Sequence, residues 1–323
     1  AGQFYRQALA IHREVGDRRG EGMVLTNLGS LLIHQGNVSE SRQHYQRALV
    51  IHREVENRTS EANVLYGLGR LYLKQGQIEE AERHFRQALA IHRSGENRSG
   101  EGVLLASLGA VYQQQSDTEA AEQHFQRALS ISRESGNRLT EGNILLLLGT
   151  VQAERGEAEA SERSYQQALS IHRDLGSRSG EGDALRHLGA HHAAHGRTKE
   201  AEQHYQQALI IFREVGAPHL EGAVLGHLGL LLAKQGQHHS AHEHIQWGER
   251  LLREPHHRMV LVELLCQRAQ LEHLAGTPEA ARDTFAEIER EVQTLHVQSN
   301  SSLAKALAET RTLLNQSRAR SGP

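Results

Sequence analysis

The 323-residue chain has few of the residues that build bulky or cross-linked cores. Its single cysteine, Cys266, cannot form a disulfide within the chain, and this favours a reducing compartment, the cytoplasm. Proline occurs four times and not before Pro218, and aromatic residues make up only 4% of the chain. Because one tryptophan and five phenylalanines cannot fill a single large core, we expect thin seams of leucine and alanine between helices.

Two further absences exclude classes of partner. The net charge is −3, from 36 basic and 39 acidic residues, and the interspersed signs give no overall attraction to nucleic acid or to an anionic membrane. Apolar runs such as residues 144–148 are far shorter than the roughly 18 residues of a membrane span, and no signal peptide is visible. We therefore expect no nucleic-acid partner and no membrane partner.

A 40-residue repeat dominates the residues that are present. Shifting the sequence by 40 aligns a Leu-Gly pair and an aromatic residue in successive units. The Leu-Gly pairs begin at Leu28, Leu68, Leu108, Leu148, Leu188 and Leu228. The aromatic column contains Tyr5, Tyr45, Phe85, Phe125, Tyr165 and Tyr205, and it continues at Phe285. Aromatic residues therefore mark a packing position.

Each unit has the pattern of two helices. Apolar residues at helical spacing predict a first helix over about 21–35 and a second over about 39–55, with a turn at Gly36-Asn37. The glycine of the Leu-Gly pair is expected to let the two helices approach closely. Such a hairpin cannot bury its apolar face alone and needs neighbours on both sides. The sequence therefore predicts an all-α stack of antiparallel helix pairs.

These columns resemble the tetratricopeptide repeat. The resemblance is carried by residues such as Leu65, Leu68-Gly69, Tyr72, Ala81, Phe85 and Ala88. Leucine replaces the usual tryptophan, and an arginine such as Arg93 replaces the usual helix-ending proline, so the second helix is about one turn longer. This is similar to the 40-residue variety of Pins-type cell-polarity adaptors and of many bacterial signalling proteins. The resemblance implies a right-handed solenoid that binds other proteins.

The repeat also predicts the domain organisation. Residues 1–15 match only a second helix, so the chain is expected to begin inside a repeat that is open to self-association. The parts that follow are six 40-residue repeats over 20–253, a degenerate seventh hairpin over 258–297, a capping helix over 300–317 and a disordered tail over 318–323.

Histidine is abundant, with 23 residues, and two histidine columns recur at the 40-residue period. Equivalent side chains in stacked hairpins lie about 10 Å apart, one helix diameter, whereas zinc needs its ligand nitrogens within about 2.1 Å. His187, His191 and His195 share one helix face, which favours adventitious metal binding, but no carboxylate or cysteine accompanies them. We predict no physiological metal site and no cofactor. His191 and His192 occupy columns held elsewhere by apolar or tyrosine residues, so we expect both in a seam.

Opposite charges recur at the hinges between repeats. The arginines are Arg18, Arg58, Arg98, Arg138 and Arg178, each followed three residues later by a glutamate. These glutamates stand at the start of first helices, where the helix dipole favours a carboxylate by about 0.3–1 kcal/mol. Capping and local pairing explain both columns, and an arginine ladder for an acidic partner is the alternative.

No motif indicates catalysis. The chain lacks G-x-S-x-G, G-x-x-x-x-G-K-[ST] and H-E-x-x-H, so we predict no catalytic residues and no enzyme. The favoured interpretation is an interaction scaffold that serves as the sensor or docking segment of a larger bacterial signalling protein. The alternative is a self-assembly module that joins subunits through the open repeat face.

The resemblance places the partner site in a concave groove lined by the first helices. Side chains at the lining positions vary between repeats, whereas the seam columns are constant. The candidates for holding a peptide or a partner domain are Asn63, Tyr66, Arg70, Lys74, Gln113, Gln114, Asn143, Asp183 and Arg186. Amide side chains can hydrogen-bond a ligand backbone, and Arg70 with Lys74 can hold an acidic side chain.

A deletion tests the repeat interpretation. Because each repeat contacts only its neighbours, stability should be a sum of local contributions. Removing residues 100–139, one whole repeat, should leave a shorter folded array with an unchanged helical circular dichroism signal per residue. Loss of that signal would contradict the solenoid interpretation.

Overall fold

The computed structural model describes residues 2–34, 37–253, 257–293 and 302–320, and within them the chain is α-helical with no strand. In chain order the helices are α1 (Gly2–Glu14), α2 (Arg18–His34), α3 (Val38–Glu54), α4 (Arg58–Lys74), α5 (Ile78–Ser94), α6 (Arg98–Gln114), α7 (Thr118–Glu134), α8 (Arg138–Glu154), α9 (Ala158–Asp174), α10 (Arg178–Ala194), α11 (Thr198–Glu214), α12 (Pro218–Lys234), α13 (His238–Leu252), α14 (Arg258–Leu274), α15 (Pro278–Val292) and α16 (Ser302–Arg320). The predicted all-α class is confirmed. None of these helices is long and apolar enough to cross a bilayer.

The chain forms two compact units, unit 1 over residues 1–140 and unit 2 over residues 141–323. In unit 1 the even-numbered helices α2, α4 and α6 are the first helices of hairpins, and each pairs with the helix that follows it. In unit 2 the same pairing joins α10 to α11, α12 to α13 and α14 to α15. Each unit is therefore a stack of antiparallel helix pairs.

Helix starts recur every 20 residues, which is half of the sequence repeat. From α2 to α15 each helix begins 20 residues after the previous one, from Arg18 to Pro278. First helices start about three residues earlier than apolar spacing predicts, because a polar side chain caps them. Asn57 accepts a hydrogen bond from the backbone N–H of Ser60 at the start of α4. Such a cap extends a helix into residues that bury no apolar side chain.

The turns between helices are closed by a residue in the left-handed conformation. Glycine fills this place in most of the described turns, for example Gly76 with φ 78° and Gly176 with φ 64°. A Cβ makes this conformation unfavourable, which explains why the turn glycines recur in the sequence. Glu56, Glu96 and Ser116 nevertheless adopt it, with φ of 51°, 53° and 62°.

Within each hairpin, a ring of the second helix packs on the glycine of the Leu-Gly pair. A Cβ added to Gly69 would lie 2.5 Å from Phe85, and one added to Gly109 would lie 2.6 Å from Phe125. Both rings are completely buried. The same packing recurs in unit 2, at the pairs Gly149–Tyr165 and Gly189–Tyr205. The glycine therefore makes room for a ring as well as for a close helix approach.

An ion-pair clamp joins consecutive hairpins. Buried Glu21, at the start of α2, accepts hydrogen bonds from Arg13 at 2.8 Å and from Arg18 at 2.6 Å. Arg18 also reaches Glu54 at 2.5 Å. Burial alone would raise the pKa of Glu21, but the two arginines outweigh it and hold that pKa below its ordinary value. The carboxylate is therefore charged and paired inside the hinge.

The clamp recurs in both units. Glu101 binds Arg93 at 3.0 Å and Arg98 at 2.6 Å in unit 1. Glu181 binds Arg173 at 2.9 Å and Arg178 at 2.6 Å in unit 2. The hinge arginines named here are thus engaged by glutamates of the chain itself, as local pairing predicts.

The last helices of unit 2 surround a smaller core. Val262, Cys266 and Leu303 lie in it, where α16 packs against α14. Burial raises the pKa of Cys266 to about 11, so its thiol is protonated near neutral pH. The capping helix predicted over 300–317 corresponds to α16, which continues to Arg320. Residues 294–301 and 321–323, which include half of the predicted tail, lie outside the described residues.

The strained turns of unit 1 give a prediction. Replacing Glu56 or Glu96 with glycine should raise the free energy of unfolding by up to about 1 kcal/mol each, since a Cβ disfavours their left-handed backbone. The same replacement at exposed Glu79, inside α5, should lower it by about 1 kcal/mol. Denaturant titration followed by circular dichroism measures both changes. Equal losses at all three positions would show that φ at residues 56 and 96 carries no strain.

Candidate partner-binding site

The nine predicted site residues fall on first helices of the two units. The unit 1 face comprises Asn63, Tyr66, Arg70, Lys74, Gln113 and Gln114, from α4 and α6. The unit 2 face comprises the predicted Asn143, Asp183 and Arg186 together with His187 and His227, from α8, α10 and α12. Steps of three or four residues put the side chains of α4 on one side of that helix. Asn63, Arg70, Lys74 and Asn143 are exposed and the other members of both faces are half-buried.

Arg70 is the centre of the unit 1 face. Its guanidinium carbon lies 5.6 Å from the centre of the Tyr66 ring, a cation–π contact worth about 0.5–1 kcal/mol at an exposed site. Tyr66 in turn packs on buried Phe85, with 6.0 Å between ring centres. This stacking positions Arg70 without using its N–H donors. Within the described residues neither Arg70 nor Lys74 forms an ion pair.

Arg186 is the centre of the unit 2 face. Its Nη2 donates to His187 Nε2 at 3.0 Å and lies 3.4 Å from an oxygen of Asp183. Because a guanidinium only donates, His187 must accept at Nε2, so its ring is neutral with the proton on Nδ1. The His187 ring stacks on Tyr165, with 5.1 Å between centres. The Nε of Arg186 is buried and has no hydrogen-bond partner among the described residues.

His227 repeats this arrangement one unit later. It stacks on Tyr205 with 5.9 Å between ring centres, and its Nδ1 accepts a hydrogen bond from the Gln267 amide at 3.0 Å. Burial, and then the charge of Arg186, lowers the pKa of His227 to about 4. The same two causes hold the pKa of His187 well below its ordinary value. Both imidazoles are neutral near pH 7 and present flat polar surfaces beside one cation.

Sequence analysis did not identify His227 or Gln267 as site residues and considered His187 only as a metal ligand. The available signal was the column immediately before the Leu-Gly pair, which contains Asn27, Gly67, Ser107, Leu147, His187 and His227. Gln267 occupies the next position at the 40-residue spacing, although the Leu-Gly pair itself is lost there. Three long polar side chains in successive units indicate a polar row across adjacent first helices.

The three histidines on one face of α10 do not converge on a point. His191 and His195 lie close, with 4.3 Å between ring centres, but His187 is held by Arg186 and Tyr165. In the part of the chain that the structure describes, no group of three or more His, Cys, Asp or Glu side chains is placed to hold a metal ion.

His191 and His192 lie in the seam, as the sequence predicts, and each is only 5% exposed. Glu162 of α9 lies 3.6 Å from His191 Nε2 and is itself bound by Arg197 at 2.7 Å. On the other side, His192 packs on His204 of α11, with 5.0 Å between ring centres. The seam between α9, α10 and α11 thus contains several titratable groups where other seams have apolar residues.

Helical hairpins of constant length, glycine-on-ring packing and clamped hinges define a helical-repeat protein, in which each unit contacts its neighbours. Two family models described as "Tetratricopeptide repeat" match the chain, one over residues 20–94, 102–174 and 181–254 and the other over residues 66–136 and 145–215. The chain belongs to the tetratricopeptide repeat family. This confirms the resemblance stated from the sequence. No curated protein matches the chain.

Solved structures share the fold at low sequence identity. Aspartyl phosphate phosphatase F from Bacillus subtilis superimposes with a TM-score of 0.69 at 16% identity, over 89% of this chain and 75% of that protein. The apo form of RapI gives a TM-score of 0.67 at 16% identity, over 84% and 99% of the two chains. A Rap protein complexed with Competence and Sporulation Factor gives 0.59 at 16% identity, over 92% and 99%. At this identity the similarity shows the fold alone.

The histidine seam gives a prediction for pH. Burial, and then the charge of Arg197, lowers the pKa of His192 from 6.5 to about 4; burial, and then His195, lowers the pKa of His191. Since the folded state favours the neutral rings, stability is complete above about pH 6.5 and is lost as the pH falls from there toward 4. Replacing His191 with Leu and His192 with Tyr should therefore raise the melting temperature more at pH 5.5 than at pH 8.

The size of this effect follows from the shift. At pH 5.5, removing the His192 contribution alone should recover about 1 kcal/mol of unfolding free energy. The matched control is His239→Tyr, because the His239 side chain is 94% exposed, and this variant should melt like the parent at both pH values. An equal gain from the double variant at pH 5.5 and pH 8 would show that the seam histidines titrate freely.

Proposed function

We propose that the unit 1 face and the unit 2 face dock a peptide or a partner domain, and that the chain is the sensor or docking segment of a larger bacterial signalling protein in the cytoplasm. The coarser part follows from the family, because tetratricopeptide repeat arrays are protein-interaction scaffolds. The finer part is supported by the shared fold of a Rap protein that was solved in complex with Competence and Sporulation Factor.

One contrast between two sets of cations carries the proposal. The hinge arginines Arg13, Arg18 and Arg93 are bound by glutamates of the chain, so their charge is compensated internally. Arg70 and Lys74 lie four residues apart on the unit 1 face, and no described carboxylate pairs with either. Two uncompensated cations side by side favour an acidic segment of a partner.

The unit 2 face supports the same function with different chemistry. Arg186 keeps a buried Nε–H without an acceptor in the described residues, and leaving such a donor unsatisfied costs about 1–3 kcal/mol. An acceptor supplied by a partner would remove this cost. The stacked His187 and His227 rings beside it suit a peptide backbone, because neutral imidazoles both donate and accept hydrogen bonds.

Self-assembly is the second candidate function. Helix α1 buries Leu9 but leaves Phe4 76% exposed and Ile11 58% exposed. Exposed apolar side chains on one helix favour association with another copy of the chain. Light scattering coupled to gel filtration separates the two functions: a concentration-independent monomer favours docking, whereas a dimer abolished by Phe4→Ser and Ile11→Ser favours self-assembly.

Charge reversal on the unit 1 face tests docking. Replacing Arg70 and Lys74 with glutamate should weaken the binding of a partner isolated by pulldown at least tenfold, about 1.4 kcal/mol, because two attractive charges become repulsive. Titration calorimetry measures the affinity, and circular dichroism should show an unchanged helical signal.

The matched control reverses two arginines on second helices of the same unit. Arg47 and Arg83 are exposed, and neither has a hydrogen bond or ion pair among the described residues. Arg47→Glu with Arg83→Glu changes the net charge equally and should leave the affinity within twofold. Arg13 and Arg173 would be poor controls, because both clamp a hinge glutamate. A loss of affinity in the control as large as in the face variant would place the partner on the second helices.

A further inference from the structure

A cleft lies among the second helices of unit 1 and shares no residue with the unit 1 face. It runs between α5 and α7 over the middle of α6, and its volume is about 520 Å³. Leu89, Leu105 and Leu108 form an apolar floor, and Tyr112 stacks beside His124 with 4.8 Å between ring centres. The volume lies within the roughly 300–1,000 Å³ that is usual for small-molecule sites.

The polar wall of this cleft is cationic. Arg86 and Arg93 from α5 and Arg127 from α7 line it together with His124, and none of its lining residues is acidic. Basic side chains that meet over an apolar floor are complementary to a molecule with an anionic head and an apolar body.

Two of the three arginines are fixed in place from behind. Arg86 binds Glu82 at 2.6 Å and donates to the Tyr112 hydroxyl at 2.9 Å, while Arg93 binds the clamp carboxylate of Glu101 at 3.0 Å. Such support positions the guanidinium groups before a ligand arrives, which reduces the entropy lost on binding.

The third arginine is unpaired. Arg127 is exposed and has neither a hydrogen bond nor an ion pair with any residue that the structure describes. Its charge, unlike that of Arg86 and Arg93, is not neutralised by a carboxylate of the chain. An arginine fork matches the two oxygens of a carboxylate, so Arg127 is the group best suited to take the head of the ligand.

The neighbouring cleft of unit 1 lacks this pair of arginines. At the equivalent positions between α3 and α5, Arg86 is replaced by Gln46 and Arg127 by Gln87. Between α9 and α11 in unit 2, both positions are again glutamine, at Gln166 and Gln207. The leucine floor, by contrast, is shared. Packing of the repeat therefore does not require the two arginines, and their coincidence in one cleft needs another explanation.

We propose that the cleft between α5 and α7 binds an organic carboxylate, with its head on Arg127 and Arg86 and an aliphatic or aromatic body over Leu89, Leu105 and Leu108. The required ligand has one negative charge and a body of a few carbon atoms up to one or two rings. A free carboxylic acid and the C-terminal residue of a peptide both present this chemistry.

Octanoate is the probe that tests the proposal. Fluorescence of 8-anilinonaphthalene-1-sulfonate bound to the intact chain serves as the reporter, and octanoate should displace it whereas the uncharged isostere octanamide should not. Arg86→Gln with Arg127→Gln should weaken the octanoate affinity at least tenfold. This variant acquires the residues found in the two other clefts, so it should keep the parent melting curve.

The matched control is Arg47→Gln with Arg83→Gln. It removes the same number of charges from second helices of unit 1, at positions outside the lining of the cleft, and should leave the octanoate affinity within twofold. The proposal is overturned if octanoate does not bind the parent chain, if octanamide competes equally well, or if both double variants weaken binding to the same extent.

A pair of peptides distinguishes the two sources of the carboxylate. Acetyl-Ala-Leu-Leu with a free C-terminus and the same peptide as its amide are compared with octanoate in the displacement assay. Displacement by the free-acid peptide, but not by its amide, assigns the cleft to a peptide C-terminus as well. Displacement by octanoate alone assigns it to small carboxylic acids.

Discussion

The ring of Phe85 lies where a Cβ of residue 69 would stand, 2.5 Å away, and the repeat is organised around contacts of this kind. A ring can occupy that place only if the first helix presents bare backbone, so the Leu-Gly pair and the aromatic column constrain each other. The seventh hairpin shows what happens when one partner changes. Ala269 stands there in the place of the glycine, and Phe285, in the aromatic column, is only half-buried. An added methyl group at such a contact forces side chains apart and costs about 1–3 kcal/mol.

Charge is divided between maintenance of the stack and surfaces that are open to other molecules. The hinge clamps engage glutamates at the starts of first helices with arginines from two helices, and these groups are largely withdrawn from solvent competition. Arg70, Lys74 and Arg127 stand apart because no described carboxylate neutralises them. In a chain whose net charge is close to neutral, −3 over 323 residues, such local imbalances are more informative about partners than the overall charge.

The fold was predictable because its constraints repeat, and a position seen six times can be read as packing. The site was predictable only in part. Asn63, Arg70 and Lys74 could be placed on one helix face from spacing, but the stacking of His187 on Tyr165 depends on ring positions that no spacing gives. The low pKa of His227 was also hidden, because it follows from burial beside Arg186 in the preceding unit. Helix starts were missed by about three residues, because the cap formed by Asn57 adds a turn without adding an apolar side chain.

The even spacing of helix starts has a consequence for how such a chain can grow. The backbone repeats every 20 residues, with the same helix length and the same kind of turn, whereas the side chains repeat every 40. The backbone alone therefore does not distinguish a first helix from a second one. Gaining or losing a single helix with its turn would keep the backbone in phase but would set glycine columns against glycine columns and rings against rings. The array thus has a reading frame of two helices, and this frame, rather than the path of the backbone, decides which side chains are offered to a partner.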